Sequence, residues 1–473
     1  MKNKKIISSA LAALCVLSAG ACGGGNSGSS RTAGTQASEN TQSTLETPAA
    51  TLASEDVAAL LEGEEEVEKL KNPTLKFLAS WAINPQNGKP KTPALEMFEQ
   101  QYGGKVEDIV CTWEQRYQTL GKMVAAGDAP DMFSAEDHDV CPRGPLYDMF
   151  SPLDNYIDFD SELWAPMKEV NELFTFKGKH YAGIYNINAG DVMIYNKKTF
   201  TENGLTTPAE LLEQDNWNWD TFYDMMIKYC DDTNGKYAVD GWWFEGAFSL
   251  TTGVPYIGIE GDKVVCNFEN DLIGRVQEFF LKMNNEKLQF PKSDFEWQIH
   301  PERVGQGLTL FYPCGMWALE DTDLMSQLGE PDEIAFAPMP RCPYADAYYL
   351  PIKVYGFSLV AGSTNPEATA AFLDCSIKCR DNEAAAAISK KQFEEDYHWT
   401  PEMFEMREKI KELTLEHPII EYYEAVNDKI KDLVNNPFKE TYNNGVAWST
   451  TKETYKMMIQ KELDIANETL SKK

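Results

Sequence analysis

Apolar and polar positions along the chain follow two periods, one typical of strands and one typical of helices. From Leu75 to Trp81 every second residue is apolar, which predicts a strand that ends in a loop. Thr92 and Pro93 then supply an N-cap and a first helical residue. The pair of glycines that begins at Gly103 ends this predicted helix.

The same strand-to-helix order follows at once. Val106–Cys111 is a short apolar strand, and Trp113–Ala126 has apolar residues at helical spacing up to a stop at Gly127. Successive strand–helix units favour a mostly parallel sheet, so we predict an α/β fold. Further helices are predicted near 401–414, 420–434 and 451–470. No repeat of fixed period is present, which argues against a solenoid or a propeller.

The N-terminus has the pattern of an export signal. A basic stretch, Lys2 to Lys5, precedes an apolar run, Ile6 to Leu17, that is too short to span a bilayer. Small residues then lead to Cys22. We therefore expect residues 1–21 to be a signal peptide.

The residues before Cys22 resemble a bacterial lipobox, in which the cysteine thiol is acylated before cleavage. The lipobox usually has leucine three residues before the cysteine, where this chain has Ala19. The resemblance implies lipidation of Cys22 and a lipoprotein on the outer face of the cytoplasmic membrane. The alternative is an ordinary A-x-A cleavage site over Ala19–Ala21, which would release a soluble protein.

Residues 22–72 are predicted to be the lipidated cysteine followed by a flexible acidic linker. The segment is rich in Gly, Ser, Thr, Ala and Glu and has no aromatic residue, so it has little apolar surface to bury. Fifty residues of this kind reach roughly 40 Å root-mean-square. Residues 54–71 could form a transient helix, but an acidic, solvated spacer is the favoured interpretation.

Composition limits what the rest of the chain can be. With 43% hydrophobic and 12% aromatic residues, the part from 73 to 473 is large enough for two domains with separate cores. The net charge of −31 repels phosphate backbones, which argues against a nucleic-acid partner.

Eight cysteines would remain in a mature chain. An even number in an oxidising exterior suggests disulfides, whereas their scattered spacing favours buried free thiols. Cys375 and Cys379 stand one helical turn apart, but they have no neighbouring His or second cysteine pair, so no metal is predicted. The eight are Cys111, Cys141, Cys230, Cys266, Cys314, Cys342, Cys375 and Cys379.

A series of short motifs over residues 73–380 resembles family 1 extracellular solute-binding proteins. One is the helix at Tyr117–Leu120 followed by the "GD-x-PD-hydrophobic" turn at Gly127–Met132, in which Asp131 is interpreted as structural. The others are PLDNY from Pro152, FKGKHYAGI from Phe176, MIYNKKTF from Met193, NWDTF from Asn218, GMW from Gly315, APMP from Ala337, and GFSLV from Gly356 with NPEA from Asn365. Each is weak alone, but their common order makes the resemblance specific.

The resemblance implies a type 2 periplasmic-binding-protein fold with two lobes and a three-crossover hinge. It places the crossings near Ile184, Pro338 and Phe357. Lobe one is then 73–184 plus 338–357, and lobe two is 185–337 plus 358–473. The implied function is the extracellular component of an ABC importer, a monomer without cofactor or catalytic residues that closes on its ligand and delivers it to a permease.

A carbohydrate ligand needs flat aromatic faces beside carboxylates and amides, which we expect at the carboxyl ends of the strands. Trp317 stands where the resemblance implies a stacking tryptophan, and at least one of the consecutive aromatics 242–244 should be exposed. Glu136 and its neighbours could instead form a solvated acidic loop. The candidate ligand-binding residues are Trp81, Asn84, Glu136, Asp137, His138, Tyr185, Asn186, Trp242, Trp243 and Trp317. We predict an oligosaccharide.

Two other functions remain open. Acidic residues beside tryptophans also suit a cationic ligand such as a polyamine or a basic peptide. A secreted glycan-active enzyme would need paired carboxylates such as Glu136 and Asp137. Adjacent residues rarely face one substrate from opposite sides, and no nucleophile elbow, H-E-x-x-H or P-loop is present. Presentation of the ligand to a membrane sensor is a further possibility.

Overall fold

The computed structural model describes residues 52–85, 89–136, 138–241, 243–291 and 299–473. The predicted signal peptide, Cys22, Asp137 and Trp242 therefore lie outside the described residues.

Strands and helices alternate along the described chain. The strands are β1 (Thr74–Ala79), β2 (Lys105–Val110), β3 (Met132–Ser134), β4 (Phe150–Ser151), β5 (Thr175–Phe176), β6 (Lys179–His180), β7 (Gly183–Ala189), β8 (Asp191–Asn196), β9 (Tyr237–Val239), β10 (Ile257–Glu260), β11 (Lys263–Cys266), β12 (Thr309–Gly315), β13 (Ile334–Ala337), β14 (Leu350–Val360) and β15 (Pro418–Ile419). The helices are α1 (Ser54–Leu60), α2 (Pro93–Tyr102), α3 (Arg116–Ala126), α4 (Arg143–Tyr147), α5 (Lys168–Glu172), α6 (Lys197–Glu202), α7 (Pro208–Glu213), α8 (Trp219–Tyr229), α9 (Phe244–Leu250), α10 (Asp271–Asn285), α11 (Glu302–Gly305), α12 (Thr322–Leu328), α13 (Pro366–Arg380), α14 (Glu383–Tyr397), α15 (Pro401–Glu416), α16 (Tyr423–Val426), α17 (Asp428–Tyr442) and α18 (Trp448–Leu470).

The first strand–helix–strand unit forms as the sequence predicts. The Thr92 hydroxyl accepts a hydrogen bond from the backbone N–H of Leu95 at the start of α2, and Gly103 ends the helix with a φ of 65°. β1 and β2 pair in parallel, as do β1 and β3. The α/β class is therefore confirmed.

The strands form two main sheets with separate hydrophobic cores. The first sheet has the order β15-β14-β3-β1-β2, and β4 and β7 also pair with β14. Its core includes Phe77, Phe133 and Phe357. The second sheet has the order β13-β8-β12-β9, and its core includes Phe222 and Phe311. Each core with its sheet is one lobe, which confirms the two-lobed architecture.

The chain first passes between the sheets at Gly190, between β7 and β8, and not at Ile184 as predicted. β7 stays in the first sheet up to Ala189 because it pairs with β14. A side chain at position 190 would meet the carbonyl oxygen of Pro351 at 2.7 Å, so the crossing requires glycine.

By sheet membership, the second crossing lies between β13 and β14 and begins near Pro338 as predicted. Between β9 and the first turn of α10, however, Tyr256, Phe268 and Ile273 bury their side chains in the first core, so the predicted assignment of all of 185–337 to lobe two is wrong.

The predicted third crossing near Phe357 is not found there, because Phe357 lies inside β14 and is buried in the first core. The chain returns to the second lobe along α14. Ala385 near the start of this helix is buried in the first core, whereas Phe393 packs against the second.

The cores also divide the C-terminal region differently from the predicted boundaries, which gave all of 358–473 to lobe two. Leu373, Ile430 and Ile459 bury their side chains in the first core, while Trp399 and Phe404 lie in the second. Helices α13, α17 and α18 therefore cover mainly lobe one. α13 packs on β1, β7 and β14 of the first sheet, whereas α17 and α18 pack against each other and against α10 and β11. The predicted assignment followed chain order alone.

The linker prediction needs correction for its last part. α1 packs on lobe one, where the Leu60 side chain is fully buried. The Leu60 carbonyl accepts a hydrogen bond from Asn382 Nδ2 at 3.2 Å, and Glu64 Oε2 lies 2.5 Å from Lys378 Nζ. These contacts are made to residues more than three hundred positions away in sequence. They offset the conformational entropy that is lost when the segment becomes ordered, which contacts within the segment could not do.

All eight cysteines from Cys111 to Cys379 are free thiols, so the disulfide alternative is not borne out. In the described part of the chain, no helix has the length and apolar character needed to cross a membrane. No group of three or more His, Cys, Asp or Glu among the described residues is arranged to hold a metal ion.

Candidate ligand-binding site

One edge of the second sheet gathers aromatic and acidic side chains. β9 and β12 run parallel, so their carboxyl ends lie at the same edge, and the antiparallel β8 begins there. Asp240 and Trp243 follow β9, Trp317 follows β12, and Asp191 is the first residue of β8. Side chains separated by more than a hundred residues in sequence are therefore brought together at one sheet edge.

Trp243 and Trp317 are exposed over 53% and 42% of their surface, although they are among the largest apolar side chains. Their ring centroids are 6.5 Å apart at an interplanar angle of 78°. The next residue, Phe244, is buried, so Trp243 is an exposed member of the aromatic run, as expected. Two exposed and nearly perpendicular indole rings form a corner with apolar faces, a surface that can cover the apolar part of a ligand.

The carboxyl ends of β1 and β3 in the first sheet carry a second group of predicted residues. Beyond β1, the Trp81 ring packs edge-on against Phe77 at 4.9 Å. On β7, the Tyr185 ring is stacked over Phe357 at 5.7 Å, and Asn186 is paired in register with Tyr355. Trp81, Tyr185 and Asn186 are all partly exposed at this edge.

Beyond β3, Glu136 is held by a lysine of β14, the strand that follows the second crossing. Its Oε2 lies 3.3 Å from Lys353 Nζ, which also donates a hydrogen bond to the Glu136 carbonyl at 3.1 Å. His138 follows with a φ of 60°, a left-handed conformation that is uncommon outside glycine. The interpretation of this loop as merely solvated is not supported, because its backbone is fixed by specific contacts.

Asn84 is not brought to this edge. The Asp108 carboxylate accepts hydrogen bonds from the backbone N–H groups of Ile83 and Asn84, and Asn84 Nδ2 donates to the Val106 carbonyl at 2.9 Å. The loop after β1 therefore runs back along β2, and Asn84 lies beside the start of that strand. Its proposed role as a ligand contact is not supported by this position.

Two acidic residues that the sequence analysis did not single out lie where the two sheet edges meet. Burial raises the pKa of Asp191 to about 7, against the opposing effect of Lys353. Burial also raises the pKa of Glu320 to about 7; Arg407 opposes this shift and Glu136 adds to it. Both carboxyl groups thus interact with charges of lobe one although they belong to lobe two. Asp191 directly follows the crossing at Gly190 and is paired in register with Gly315 at the end of β12, and Glu320 ends the turn that follows β12.

The sequence held only a weak signal for these residues. Asp191 directly precedes the apolar strand that begins at Val192, so it could be placed at a strand end. The start of β8 lies at the ligand-site edge of the sheet only because β8 runs antiparallel to β12. The local sequence pattern does not show which strands pair or in which direction. Glu320 lies three residues after Trp317 in a 3₁₀ turn that the GMW motif only begins.

The raised pKa values predict how stability depends on pH. In an unfolded chain Asp191 and Glu320 would ionise near 3.8 and 4.5, whereas in the folded protein both keep their protons up to about 7. The free energy of unfolding of the unliganded protein should therefore fall as pH rises from about 4 to about 7. Thermal unfolding across this range should show the decline, and Asp191→Asn combined with Glu320→Gln should make it shallower. The remaining decline comes from Glu421, whose pKa is raised to about 8 by burial. The exposed Glu213→Gln serves as the control; an equal slope in the double variant would contradict the prediction.

Two surface cavities lie away from these edges. One of about 330 Å³ is lined by residues that include Trp217, Arg341 and Lys409, and another of about 430 Å³ lies between Asn84 and Gly104. Neither contains exposed tryptophans or the carboxyl groups described above. The facing sheet edges remain the better candidate because they combine aromatic surface with hydrogen-bonding groups.

Comparisons with known proteins agree with this architecture. A family model described as bacterial extracellular solute-binding protein matches residues 93–392. None of the curated proteins matches the chain.

Three solved structures show the similarity of fold. The ABC substrate-binding protein Lmo0181 from Listeria monocytogenes, in complex with cycloalternan, is 16% identical with a TM-score of 0.58, over 86% of this chain and 100% of that one. The GacH receptor of Streptomyces glaucescens, solved unliganded and with acarbose, is 14% identical with a TM-score of 0.58. The similarity covers 82% of this chain and 98% of GacH. UgpB from Mycobacterium tuberculosis, in complex with glycerophosphocholine, is 15% identical with a TM-score of 0.57. The similarity covers 78% of this chain and 94% of UgpB.

Proposed function

Because the chain belongs to the bacterial extracellular solute-binding protein family, we propose that it captures a carbohydrate between its two lobes and delivers it to the permease of an ABC importer. The carbohydrate is an oligosaccharide in this proposal. The observation that carries it is the pair of exposed tryptophans, Trp243 and Trp317, next to Asp191 and Asp240 at one sheet edge. Two of the structures of similar fold hold cycloalternan and acarbose.

The geometry suits binding without chemistry. Apolar C–H faces of the sugar would lie against the indole rings, and its hydroxyl groups would form hydrogen bonds with the Asp191 carboxyl group and the Glu136 carboxylate. Contacts from both sheet edges to one ligand favour the closed arrangement of the lobes, since a ligand stabilises the state to which it binds better. A permease can then distinguish loaded from empty receptor.

A sugar panel tests the proposal. Maltotetraose, cycloalternan, acarbose and lacto-N-biose are added to the purified protein, and thermal unfolding is followed. A ligand at 100 times its Kd should add roughly 2.7 kcal/mol to the free energy of unfolding. No shift with any sugar, together with a shift with spermidine, would refute a carbohydrate ligand. Turnover of any panel sugar by the purified protein would show that it is an enzyme.

A cationic ligand is the second candidate, and one observation favours it. UgpB has the same fold and was solved with glycerophosphocholine, which carries a quaternary ammonium group. Carboxylates beside tryptophans can hold such a cation. Against it, Lys353 and Arg407 partly neutralise the carboxylates between the lobes. Titration calorimetry at low and high salt separates the candidates, since only cation binding should weaken as salt rises.

Membrane attachment through Cys22 is a further part of the proposal, supported by the order of basic, apolar and small residues at the N-terminus. Cys22→Ala should move the protein from the membrane fraction to the medium and abolish its labelling with a radioactive fatty acid. Cys15→Ala, inside the predicted signal peptide, is the matched control and should leave attachment unchanged. Membrane retention of the Cys22→Ala protein would show that the lipobox resemblance misleads.

A further inference from the structure

Helix α17 has side chains in the cores of both lobes. Val434 and Phe438 are buried in the first core, whereas Tyr442, at the C-terminal end of the helix, is buried in the second. The Phe438 ring centroid lies 4.1 Å from that of Tyr256, which also belongs to the first core. The last turn of α17 therefore carries an aromatic side chain from a helix of lobe one into the core of lobe two.

In the second core, the Tyr442 ring packs against the residue that directly follows Trp243. Its centroid lies 5.8 Å from that of Phe244 and 5.2 Å from that of Phe280, and both of these rings are fully buried. Trp243 has a φ of 58°, which a non-glycine residue keeps only where its surroundings impose it. The packing of Phe244 at the start of α9 is one such constraint, because it fixes the backbone next to Trp243.

The backbone of Tyr442 is connected to a second part of the candidate site. Its carbonyl accepts hydrogen bonds from Gln289 Nε2 at 2.5 Å and from Asn284 Nδ2 at 2.9 Å. Gln289 is paired with Val239 at the end of β9, the strand that Asp240 follows. The end of α17 thus contacts both elements from which Asp240 and the exposed tryptophan of this edge emerge.

We propose that Tyr442 is a positioning residue that holds Trp243 and the end of β9 in the arrangement that binds ligand. It acts through Phe244 and Gln289 and does not touch the ligand. Because the preceding turns of α17 are buried in the first core, the same residue ties this arrangement to lobe one. The inference rests on the proposed function, since that function assigns Trp243 to the ligand site.

The test compares Tyr442→Leu with Phe438→Leu, its matched control. Both variants remove a buried aromatic ring from the same helix, one turn apart, and the two side chains are 6% and 4% exposed. Both should therefore lower the free energy of unfolding to a similar extent. Tyr442→Phe keeps the ring and should behave as the wild type does.

Hydrogen exchange of the unliganded protein separates the two variants. Tyr442→Leu should increase exchange in the peptide that covers residues 243–250, in which the Ala247 N–H donates to the Trp243 carbonyl at 3.0 Å. Phe438→Leu should leave this peptide unchanged and increase exchange near Tyr256 instead. Tyr442→Phe should restore the exchange of the wild type in both peptides.

Calorimetry supplies the second measurement. With the panel sugar that most stabilises the wild type, Tyr442→Leu should bind about fivefold or more weakly, a part of the loss expected when an anchoring tryptophan is removed outright. Phe438→Leu and Tyr442→Phe should bind with the affinity of the wild type. A contact that merely stabilises the fold would weaken binding equally in Tyr442→Leu and Phe438→Leu.

If Tyr442→Leu does not fold, Gln289→Met takes its place. This variant removes the donor to the Tyr442 carbonyl and keeps the length of the side chain. It should increase exchange at the Phe290 N–H, which donates to the Val239 carbonyl at 2.9 Å, and weaken sugar binding. Wild-type exchange and affinity in this variant would contradict the role given to Tyr442.

The remaining outcomes are distinct. Unchanged exchange over residues 243–250 in Tyr442→Leu, or equal changes there in Phe438→Leu, overturns the positioning role. If no panel sugar binds the wild type, the proposed function fails, and hydrogen exchange alone decides the inference. Loosening of 243–250 that is confined to Tyr442→Leu then supports it, and loosening in neither variant overturns it.

Discussion

Trp317→Ala is expected to weaken ligand binding by about thirtyfold and to leave the melting temperature nearly unchanged. Removal of a central tryptophan from a binding surface typically costs about 2 kcal/mol or more, which corresponds to this factor. The ring is 42% exposed, so its loss leaves a gap that is open to solvent and not an enclosed cavity, and exposed substitutions usually change stability by at most about 0.5 kcal/mol. Calorimetry gives the affinity and thermal unfolding gives the stability.

Tyr156→Ala is the matched control for this prediction. Tyr156 is also an aromatic residue and is 41% exposed. It follows β4, which pairs with the Leu359–Val360 end of β14 and so lies at the opposite edge from Lys353. Its loss should leave affinity unchanged. If Trp317→Ala and the wild type bound ligand with equal affinity, Trp317 would not contact the ligand. The main support for a carbohydrate ligand would then be lost.

Phe222→Ala is expected to have the largest effect on stability, a loss of about 3–5 kcal/mol from the free energy of unfolding of lobe two. Phe222 on α8 is completely buried. Its ring centroid lies 5.4 Å from that of Phe311 and 5.8 Å from that of Trp217, so the truncation opens a cavity in a dense aromatic cluster. Urea unfolding followed by tryptophan fluorescence measures the change.

Ile227→Ala on the same helix provides the comparison. Ile227 is 44% exposed, so its truncation should cost about 0.5 kcal/mol or less. Since the two cores are separate, Phe222→Ala should also split unfolding into two transitions as lobe two becomes the weaker lobe. Similar losses in the two variants would contradict the assignment of Phe222 to the centre of the second core.

Several features of the fold could be predicted because their causes are local. The cap at Thr92 and the left-handed glycine at 103 act over four residues and were found as expected. Asp131 was interpreted as structural, and its carboxylate accepts hydrogen bonds from the Lys76 N–H and the Ser363 hydroxyl. The family resemblance depended on the order of such local signals, and the family match confirms it.

The candidate site could be predicted only in part. Trp317 was singled out by the family resemblance and Trp243 as one of three consecutive aromatic residues, and their rings lie 6.5 Å apart in the structure. Asp191 and Glu320 were missed, since a single acidic residue at a strand end has no distinctive pattern. Asn84 was placed at the site because it follows β1, but the Asp108 carboxylate directs its loop elsewhere.

The sequence by itself determined the α/β class, the start and end of α2, and the likeness to a solute-binding family, because each depends on neighbouring residues or on their order. The single helix predicted near 420–434 was wrong, since that region forms two helices, α16 and α17. Only the tertiary structure decided which lobe each C-terminal helix covers, why Leu60 is buried in a segment of linker composition, and which carboxyl groups meet between the lobes. These features come from contacts between residues hundreds of positions apart. Their free energy depends on which surfaces meet, and local periodicity carries no information about that.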